Sequence, residues 1–281
     1  MNNRQPDEPV NNLTKGRATI CIVNYKTIDL TRLCLRSIRK FTHYPYDVIV
    51  VDNDSKDESL QYLKSLDWVQ LIERHPEADK PIGGYAHGAA LDLGLSNCTT
   101  EFFISLHSDT VVIRDGWLGE LMNYFDNDQA IACVGTGKIE LAAQWRIILK
   151  NVTDLRTFKR KLLREPDPLG KYRYYNRTIC CIYRTEVLKR EKLSFLMDID
   201  KGLTSGKKLY FELVDRGYET VELPAASMKP YVLHLAHATQ AVNPQEFTLR
   251  QRTLKKYNRL SAEIMSSRMV NDIMTDDSLD K

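Results

Sequence analysis

The sequence contains no apolar run that approaches the roughly 18 residues of a membrane-spanning helix. Its first residues, Met1 to Pro9, are polar and include no apolar signal core. Lysine and arginine number 40 against 37 aspartate and glutamate, which gives a net charge of +3. So small an excess does not predict binding to nucleic acid. We therefore expect a soluble, cytoplasmic protein.

Motifs that define several other protein classes are also absent. The chain has six cysteines but no C-x-x-C pair, which argues against zinc ribbons and thioredoxin-type redox sites. We expect the thiols, at positions 21, 34, 98, 133, 180 and 181, to be small buried side chains. No G-x-G-x-x-G follows the first apolar run, and no G-x-x-x-x-G-K-[ST] occurs. The usual dinucleotide fingerprint and a Walker-type phosphate loop are therefore not indicated.

Short apolar runs alternate with amphipathic stretches over residues 18–134. Such runs are typical of strands buried on both faces, and strands that alternate with helices predict a parallel, doubly wound α/β sheet. The predicted strands are 18–25, 47–52, 69–72, 101–106 and 131–134, and the predicted helices are 31–40, 59–66, 87–95 and 117–125.

The alternation weakens after residue 134, and no internal repeat is visible. The pattern there predicts a basic amphipathic helix over 153–164, a strand over 178–183, a helix over 209–216, and short strands over 220–223 and 231–233. A helical pattern then runs from Pro244 to Met274, which predicts one long terminal helix.

Polar residues follow three of the predicted strands. They are Asn24-Tyr25, Asp52-Asn53-Asp54 and His107-Ser108-Asp109. Because ligands of an open parallel sheet bind beyond the carboxyl ends of its strands, these residues are expected to share one site. Any one of them alone could cap a turn, but three in one alternating region favour a binding site. If that site holds a nucleotide, its pyrophosphate needs a cation, most naturally a metal ion held by Asp109.

Several segments together resemble a known family. These are Val51 to Asp57 (VDNDSKD), Gly84-Tyr85 with Asp92 to Leu95, Phe103 to Thr110 followed by Trp117-Leu118, and Arg216-Gly217-Tyr218. In this combination the chain resembles the family 2 glycosyltransferases with the GT-A fold, over roughly residues 18–240. The resemblance implies a Rossmann-like, mostly parallel sheet flanked by helices. It also implies a nucleotide-sugar donor, a divalent metal ion (Mn²⁺ or Mg²⁺), and inverting transfer to the hydroxyl of a glycan, lipid-linked or other acceptor.

The resemblance also assigns parts of the chain to roles. Residues 1–16 are expected to be a flexible arm, 17–134 the nucleotide-binding half, 135–240 the acceptor-side half, and 241–281 a helical extension. Asp52 is expected to hold the base or ribose, and Gly84 to let the backbone approach the donor. The candidate donor-binding residues are Asn24, Tyr25, Asp52, Asp54, Gly84, His87, His107 and Ser108. The candidate metal ligands are Asp109, His107, His234 and His237.

The chain departs from the family pattern in two places. His107 replaces the first acid of D-x-D; an imidazole can bind Mn²⁺ or a phosphate but suits Mg²⁺ poorly, and it could instead be satisfied by a loop carbonyl. Ser205-Gly206 replaces a Glu-Asp pair that would supply the catalytic base. Asp198 and Asp200 are the nearest acids, either as base or as turn caps, and Asp200 is preferred as the base. Of His234 and His237, one is expected to be functional.

Two further questions stay open at this point. The basic stretches 153–164 and 250–259 are either ordinary solvated helix faces or a contact with an anionic membrane, at its inner face. The protein is either a transferase, a non-catalytic sugar- or nucleotide-binding relative, or a nucleotidyltransferase. The last would need a glycine-rich loop after the first strand, and residues 24–27 contain no glycine. No residue pattern indicates an oligomeric state.

Overall fold

The computed structural model describes residues 12–76, 83–126, 128–136 and 175–281. Its strands are β1 (Thr14–Asn24), β2 (Tyr46–Asp52), β3 (Val69–Glu73), β4 (Thr100–His107), β5 (Thr110–Val112), β6 (Ile131–Thr136), β7 (Cys180–Arg184), β8 (Glu219–Leu223) and β9 (Val232–His234). Its helices are α1 (Ile28–Phe41), α2 (Glu58–Lys64), α3 (Gly84–Asn97), α4 (Trp117–Met122), α5 (Thr185–Arg190), α6 (Ser205–Asp215), α7 (Ala225–Met228), α8 (Ala238–Val242), α9 (Gln251–Met265) and α10 (Arg268–Met274), followed by a 3₁₀ turn at Asp277–Asp280.

Seven strands form the central sheet in the order β3-β2-β1-β4-β7-β6-β8. Strands β3, β2, β1 and β4 are parallel, and β6 is parallel to β8, so that only β7 runs in the opposite direction. The expected mostly parallel α/β sheet is confirmed. The register places Asn24 opposite Asp52 and Val23 opposite His107. The polar ends of β1, β2 and β4 therefore meet at one edge of the sheet.

Helices cover both faces of this sheet, as the alternation predicted. The side chains of Ile20 and Ile22 point to the face that packs against α1, α2 and α4. The side chains of Cys21 and Val23 point to the opposite face, where they pack against α3, α5 and α6. Because β1 is buried on both faces, it reads as a continuous apolar run. All six cysteines are buried and free, as expected.

Two expected boundaries are wrong. Strand β1 begins at Thr14, whose amide donates to the Thr99 carbonyl at 2.8 Å, so the last residues of the expected arm belong to the sheet. The single terminal helix is two helices, because Ser267 ends the first run and caps α10 by accepting from the Val270 amide. Residues 244–250 precede α9 and are not helical. The rest of the domain division stays a prediction, and the expected helix 153–164 lies outside the described residues.

The C-terminal helices pack onto the start of the domain. Residues Tyr257, Ile264, Val270 and Ile273 form a third apolar cluster that includes Leu33 of α1. Within the described ranges, no helix combines the length and the hydropathy needed to cross a membrane.

An ion-pair cluster fixes the last turn of the chain. The Arg36 side chain of α1 is only 4% exposed and donates from Nε to Asp280 Oδ1 at 2.9 Å and from Nη2 to Asp277 Oδ1 at 2.8 Å. Tyr62 and Trp68 also donate to Asp280, from the phenol to the carboxylate at 2.8 Å and from the indole to the backbone carbonyl at 3.1 Å. The C-terminal turn is thus tied to α1, α2 and the segment before β3.

Candidate active site

A cavity of about 760 Å³ opens at the carboxyl edge of the sheet. Its walls come from the ends of β1, β2 and β4, the start of α3, the segments before β7 and α6, and the region after β9. The lining residues include Tyr25, Asn53, Asp54, Gly84, His87, His107, Ser108, Asp109, Tyr175, Arg177, Thr178, Ser205, Gly206, His234, His237 and Phe247.

Three of these residues form a group that could hold a metal ion. His107 ends β4, and Asp109 immediately precedes β5. Strand β5 pairs with β9 so that Thr110 opposes His234, which brings His234 beside Asp109. His234 Nε2 lies 3.2 Å and His107 Nδ1 lies 3.8 Å from Asp109 Oδ1. One ligand atom from each of the three residues lies within 4.8 Å of the others.

The protonation states of this group suit metal binding. Burial acts to raise the pKa of Asp109, but His234 and His107 outweigh it, so the pKa is lowered and the carboxylate is ionised. Burial lowers the pKa of His107 to about 3, with His87 and His234 adding to the effect against Asp109. At neutral pH His107 is therefore a neutral imidazole and Asp109 an anion, which are the forms that bind a cation.

Neighbouring groups surround the imidazole rings of His107 and His87. Thr178 Oγ1 lies 3.3 Å from His107 Nε2, which leaves Nδ1 facing Asp109. The rings of His87 and His107 meet edge to face at 4.8 Å. Burial lowers the pKa of His87 to about 4, and its buried Nε2 has no hydrogen-bond partner among the described residues. His107, Asp109 and His234 thus offer a mixed nitrogen and oxygen ligand set for a divalent metal ion.

Asn24 and Asp52 lie behind the cavity wall rather than in it. Asp52 Oδ1 accepts from Asn24 Nδ2 at 2.7 Å and from Ser55 Oγ at 2.6 Å, while Oδ2 accepts from the Ser55 amide at 3.0 Å. Both residues are almost fully buried, and neither lines the cavity. The expectation that Asp52 offers its carboxylate to the base or ribose is therefore not supported. These residues instead fix the loop that presents Asn53 and Asp54 to the cavity.

Asp54 does line the cavity, as the sequence suggested. Its backbone is left-handed, with φ of 66°, and its carboxylate contacts Lys56 at 2.8 Å and His75 at 3.1 Å. The hydrogen bond from Lys56, followed by the one from His75, lowers the pKa of Asp54. The carboxylate is thus ionised and oriented by its own loop.

An aromatic pair, Tyr25 and Phe247, lines one end of the cavity. The Tyr25 hydroxyl donates to Glu246, which also pairs with Lys26, and the Phe247 ring meets the Tyr25 ring edge to face at 6.4 Å. The sequence does not indicate a role for Phe247, because the helical pattern that begins at Pro244 places it in a helix, whereas 244–250 are not helical. Gly84, His87 and Ser108 were expected to bind the donor, and all three line the cavity.

The two acids expected to act as base lie outside the cavity wall. Asp198 Oδ1 accepts from the Lys201 amide at 3.0 Å, and its backbone pairs with Leu203, so that 198–203 is a tight turn rather than an extended segment. Asp200 is exposed on that turn. Neither lines the cavity. Ser205, Gly206 and Arg177 line the wall instead, and sequence analysis gave none of them a role.

His237 also differs from its expected role as a metal ligand. It has a left-handed backbone, with φ of 70°, and precedes α8. Its Nδ1 lies 3.1 Å from Gln240 Oε1, and it lines the cavity without joining the ligand group. Of the two histidines, His234 is therefore the one placed for metal binding. Tyr175 also lines the cavity.

Comparison with known proteins gives both a family and structural neighbours. The sequence model of glycosyl transferase family 2 matches residues 19–190. The mannosyltransferase PcManGT from Pyrobaculum calidifontis, solved in complex with GDP-Man and Mn²⁺, is 15% identical, with 95% of this chain and 77% of that chain covered and a TM-score of 0.52. TarS 1–349 from S. aureus is 15% identical, with 90% and 73% covered and a TM-score of 0.51.

A third neighbour is glucosyl-3-phosphoglycerate synthase from Mycobacterium tuberculosis, solved with Mn²⁺, UDP and glucosyl-3-phosphoglycerate. It is 15% identical, with 94% of this chain and 85% of that chain covered and a TM-score of 0.51. No curated protein sequence matches the chain significantly. At these identities the structural likeness concerns the fold, and it confirms the expected GT-A architecture.

Proposed function

The chain belongs to glycosyl transferase family 2, and from this we propose that it transfers a sugar from a nucleotide-sugar donor to an acceptor, with inversion and with a divalent metal ion. The observation that carries the proposal is the His107–Asp109–His234 group inside the cavity at the carboxyl edge of the sheet. Binding beyond the strand ends is what an open α/β sheet favours.

The cavity is divided in a way that suits such a donor. Tyr25 and Phe247 offer aromatic surface for a base, and Asn53 and Asp54 offer polar atoms for base or ribose. Gly84 is the first residue of α3, so the backbone forms that part of the wall. In this proposal the contributions of Asn24 and Asp52 are indirect, through the loop that they fix.

The metal ion is held by His107, Asp109 and His234 in this proposal. When bound, it supplies positive charge that stabilises the nucleoside diphosphate as the leaving group. The chain's own residues orient the ligands, since Thr178 holds Nε2 of His107 and β9 carries His234 to Asp109. The complexes of PcManGT with GDP-Man and Mn²⁺ and of glucosyl-3-phosphoglycerate synthase with UDP and Mn²⁺ support Mn²⁺ and a hexose donor for this chain.

Inversion requires that the acceptor attack from the side opposite to the diphosphate. Tyr175 and Arg177 precede β7, which lies on the other side of β4 from β1 and β2, the strands that lead to the nucleoside end. Together with Ser205 they form a wall of the cavity. We assign this wall to the acceptor. The resulting role in polysaccharide or glycoconjugate synthesis is part of the proposal.

A peripheral contact with the inner face of a membrane also stays a proposal. Arg252, Lys255 and Arg259 are exposed on α9. A basic helical face is attracted to anionic lipid. Sedimentation with vesicles that contain phosphatidylserine, compared with neutral vesicles, tests this contact, and equal binding to both would contradict it.

The activity is tested by following release of nucleoside diphosphate from a panel of UDP- and GDP-sugars. We expect one or a few donors to be turned over with Mn²⁺, no turnover with EDTA, and recovery when Mn²⁺ is restored. Mn²⁺-dependent binding without turnover of any donor would favour a non-catalytic relative, which the replacement of the usual acids by Ser205-Gly206 makes the second candidate. Release of pyrophosphate would instead indicate a nucleotidyltransferase.

A further inference from the structure

The acceptor side of the cavity carries donors and positive charge but, among the described residues, no carboxylate. Arg177, Thr178 and Ser205 line this wall, whereas the lining carboxylates, Asp54 and Asp109, belong to the nucleoside and metal ends. A hydroxyl acceptor must pass its proton to a base within hydrogen-bond reach. The described wall does not offer that base.

Close packing at Gly206 excludes an acidic side chain at that position. Gly206 lies in the first turn of α6, and a Cβ added to it would come within 2.6 Å of the Asn176 carbonyl oxygen and 3.5 Å of the Arg177 Cα. Any side chain at 206 would therefore displace the backbone of 176–178. The close packing of α6 against the segment before β7 therefore leaves no room for an acidic side chain at position 206.

Ser205 presents its hydroxyl on this wall of the cavity. Ser205 is 7% exposed, lines the cavity, and forms no hydrogen bond with any residue that the structure describes. A hydroxyl on a cavity wall that no described residue pairs with is available to a ligand. Ser205 also begins the 11-residue helix α6, whose first N–H groups lack intrahelical acceptors and whose N-cap, Thr204, makes no side-chain cap.

Arg177 adds a positive charge to the same wall. Its guanidinium lies 5.2 Å from the Tyr175 ring centroid, and it forms no ion pair with a described carboxylate. Arg177 interacts electrostatically with Glu222 of β8. Burial raises the pKa of Glu222, and the positive charge of Arg177 partly opposes this increase. Glu222 does not line the cavity, so the face of Arg177 toward the cavity is left for an anion.

On the basis of the proposed function, we propose that the acceptor is a phosphomonoester held by Arg177, Ser205 and the start of α6. Thr178 joins this anion site to the metal site, since it contacts His107 at 3.3 Å. A phosphate oxygen forms the bond to the anomeric carbon, the bond from that carbon to the donor diphosphate breaks, and the electron pair leaves with the nucleoside diphosphate. No proton moves, because the second pKa of a phosphomonoester is about 6 and the oxygen is already ionised at pH 7. The product is a sugar phosphodiester.

The test measures binding of n-butyl phosphate by calorimetry to the full chain saturated with Mn²⁺ and UDP or GDP. We expect butyl phosphate to bind and n-butanol not to bind. We expect Arg177→Gln to weaken butyl phosphate roughly tenfold or more, and Ser205→Ala to weaken it several-fold. Arg114→Gln removes an exposed arginine outside the cavity and is expected to leave both affinities unchanged.

Each alternative result overturns the inference. Absence of butyl phosphate binding to a protein that binds nucleotide would do so, as would equal binding to Arg177→Gln. If Arg177→Gln instead weakens the nucleotide, the arginine serves the donor. In the turnover assay, sugar passing to butanol and not to butyl phosphate would contradict the phosphate acceptor while leaving the proposed transferase intact. Loss of Mn²⁺-dependent nucleotide binding by the wild-type protein would contradict the proposed function itself.

Discussion

The two ring nitrogens of His107 have different environments, and this asymmetry determines what the residue can do. Nε2 lies 3.3 Å from the Thr178 hydroxyl, while Nδ1 faces Asp109 at 3.8 Å. A neutral imidazole nitrogen can bind Mn²⁺ but suits Mg²⁺ poorly. We therefore expect His107 to shift the preference of the site toward Mn²⁺.

Replacing His107 by the acid expected at this position tests that role. His107→Asp keeps a ligand at the end of β4 but exchanges nitrogen for oxygen, which Mg²⁺ prefers. We expect the ratio of Mn²⁺ to Mg²⁺ affinity to fall by about tenfold, or roughly 1.4 kcal/mol. Calorimetric titration of both ions gives the ratio, with His237→Asp as the control on the cavity rim. An unchanged ratio in His107→Asp would show that His107 does not bind the ion.

A second prediction at the residue scale concerns Asp200. It is exposed on the 198–203 turn and does not line the cavity. We expect Asp200→Asn to keep kcat within about twofold of wild type, whereas loss of a general base costs roughly 10²–10⁴-fold. Steady-state rates with the best donor decide between these values. A drop of the larger size would restore Asp200 as the base and would remove the reason to infer a phosphate acceptor.

At the scale of elements, the contact of α6 with the 176–178 segment shapes the acceptor wall. Gly206→Ala would place a methyl group 2.6 Å from the Asn176 carbonyl oxygen. We expect this overpacking to lower the free energy of unfolding by about 1–3 kcal/mol. The control is Gly119→Ala in α4, where an added Cβ meets nothing within 4 Å and should leave stability unchanged or raise it by up to about 1 kcal/mol.

Urea unfolding of the two glycine variants makes the comparison. A Gly206→Ala protein as stable as Gly119→Ala would mean that the backbone of 176–178 yields easily. In that case the space at the start of α6 would be open to a larger side chain, and the packing argument for the missing acid would not hold.

The elements also show which parts of the fold the sequence determines locally. The strands of the sheet were predictable because burial on both faces leaves an uninterrupted apolar run, as in Ile20 to Val23. The terminal helix was predicted as one because Leu254, Tyr257 and Ile264 keep helical spacing, yet Ser267 accepts from the Val270 amide and starts a new helix. A serine in a helical pattern does not reveal whether it will cap or continue, because the tertiary packing on α1 decides.

The candidate site was predictable where it follows strand ends and not where it depends on long-range contacts. Asp109 could be placed because it follows β4 directly. The contact between Asp109 and His234 depends on the pairing of β5 with β9, which are more than a hundred residues apart in the chain. Asp52 is buried behind the cavity wall because its carboxylate accepts hydrogen bonds from Asn24 and Ser55. Arg177 and Ser205 line the same wall because α6 packs on the segment before β7.

At the scale of the whole molecule, the Arg36–Asp280 cluster joins α1, near the start of the sheet domain, to the C-terminal turn. Burial acts to raise the pKa of Asp280, but the hydrogen bonds from Arg36 and Tyr62 outweigh it, so the pKa is lowered. A carboxyl group with a lowered folded pKa stabilises the fold above its unfolded pKa of about 3.9, and this contribution is lost as the pH falls through the folded value.

We therefore expect Asp280→Asn to lower the free energy of unfolding at pH 7 by about 2–3 kcal/mol, because it leaves the buried Arg36 without its main partner. The difference from wild type should shrink as the pH falls below about 4. Asp277→Asn is the matched control, since that side chain is 89% exposed and should matter little. Equal effects of the two variants, or a difference that does not change with pH, would contradict this assignment.

The proposed function requires that His107, Asp109 and His234 together bind the metal ion that binds the nucleoside diphosphate. Its most direct test is calorimetric titration of UDP and GDP, with and without Mn²⁺, into wild type, Asp109→Asn and the exposed control Asp115→Asn. We predict Mn²⁺-dependent binding by wild type and Asp115→Asn, and a loss of roughly a hundredfold or more in Asp109→Asn, which removes the central charge, with unchanged circular dichroism. Nucleotide binding of equal strength without Mn²⁺, or in a folded Asp109→Asn protein, would contradict the account.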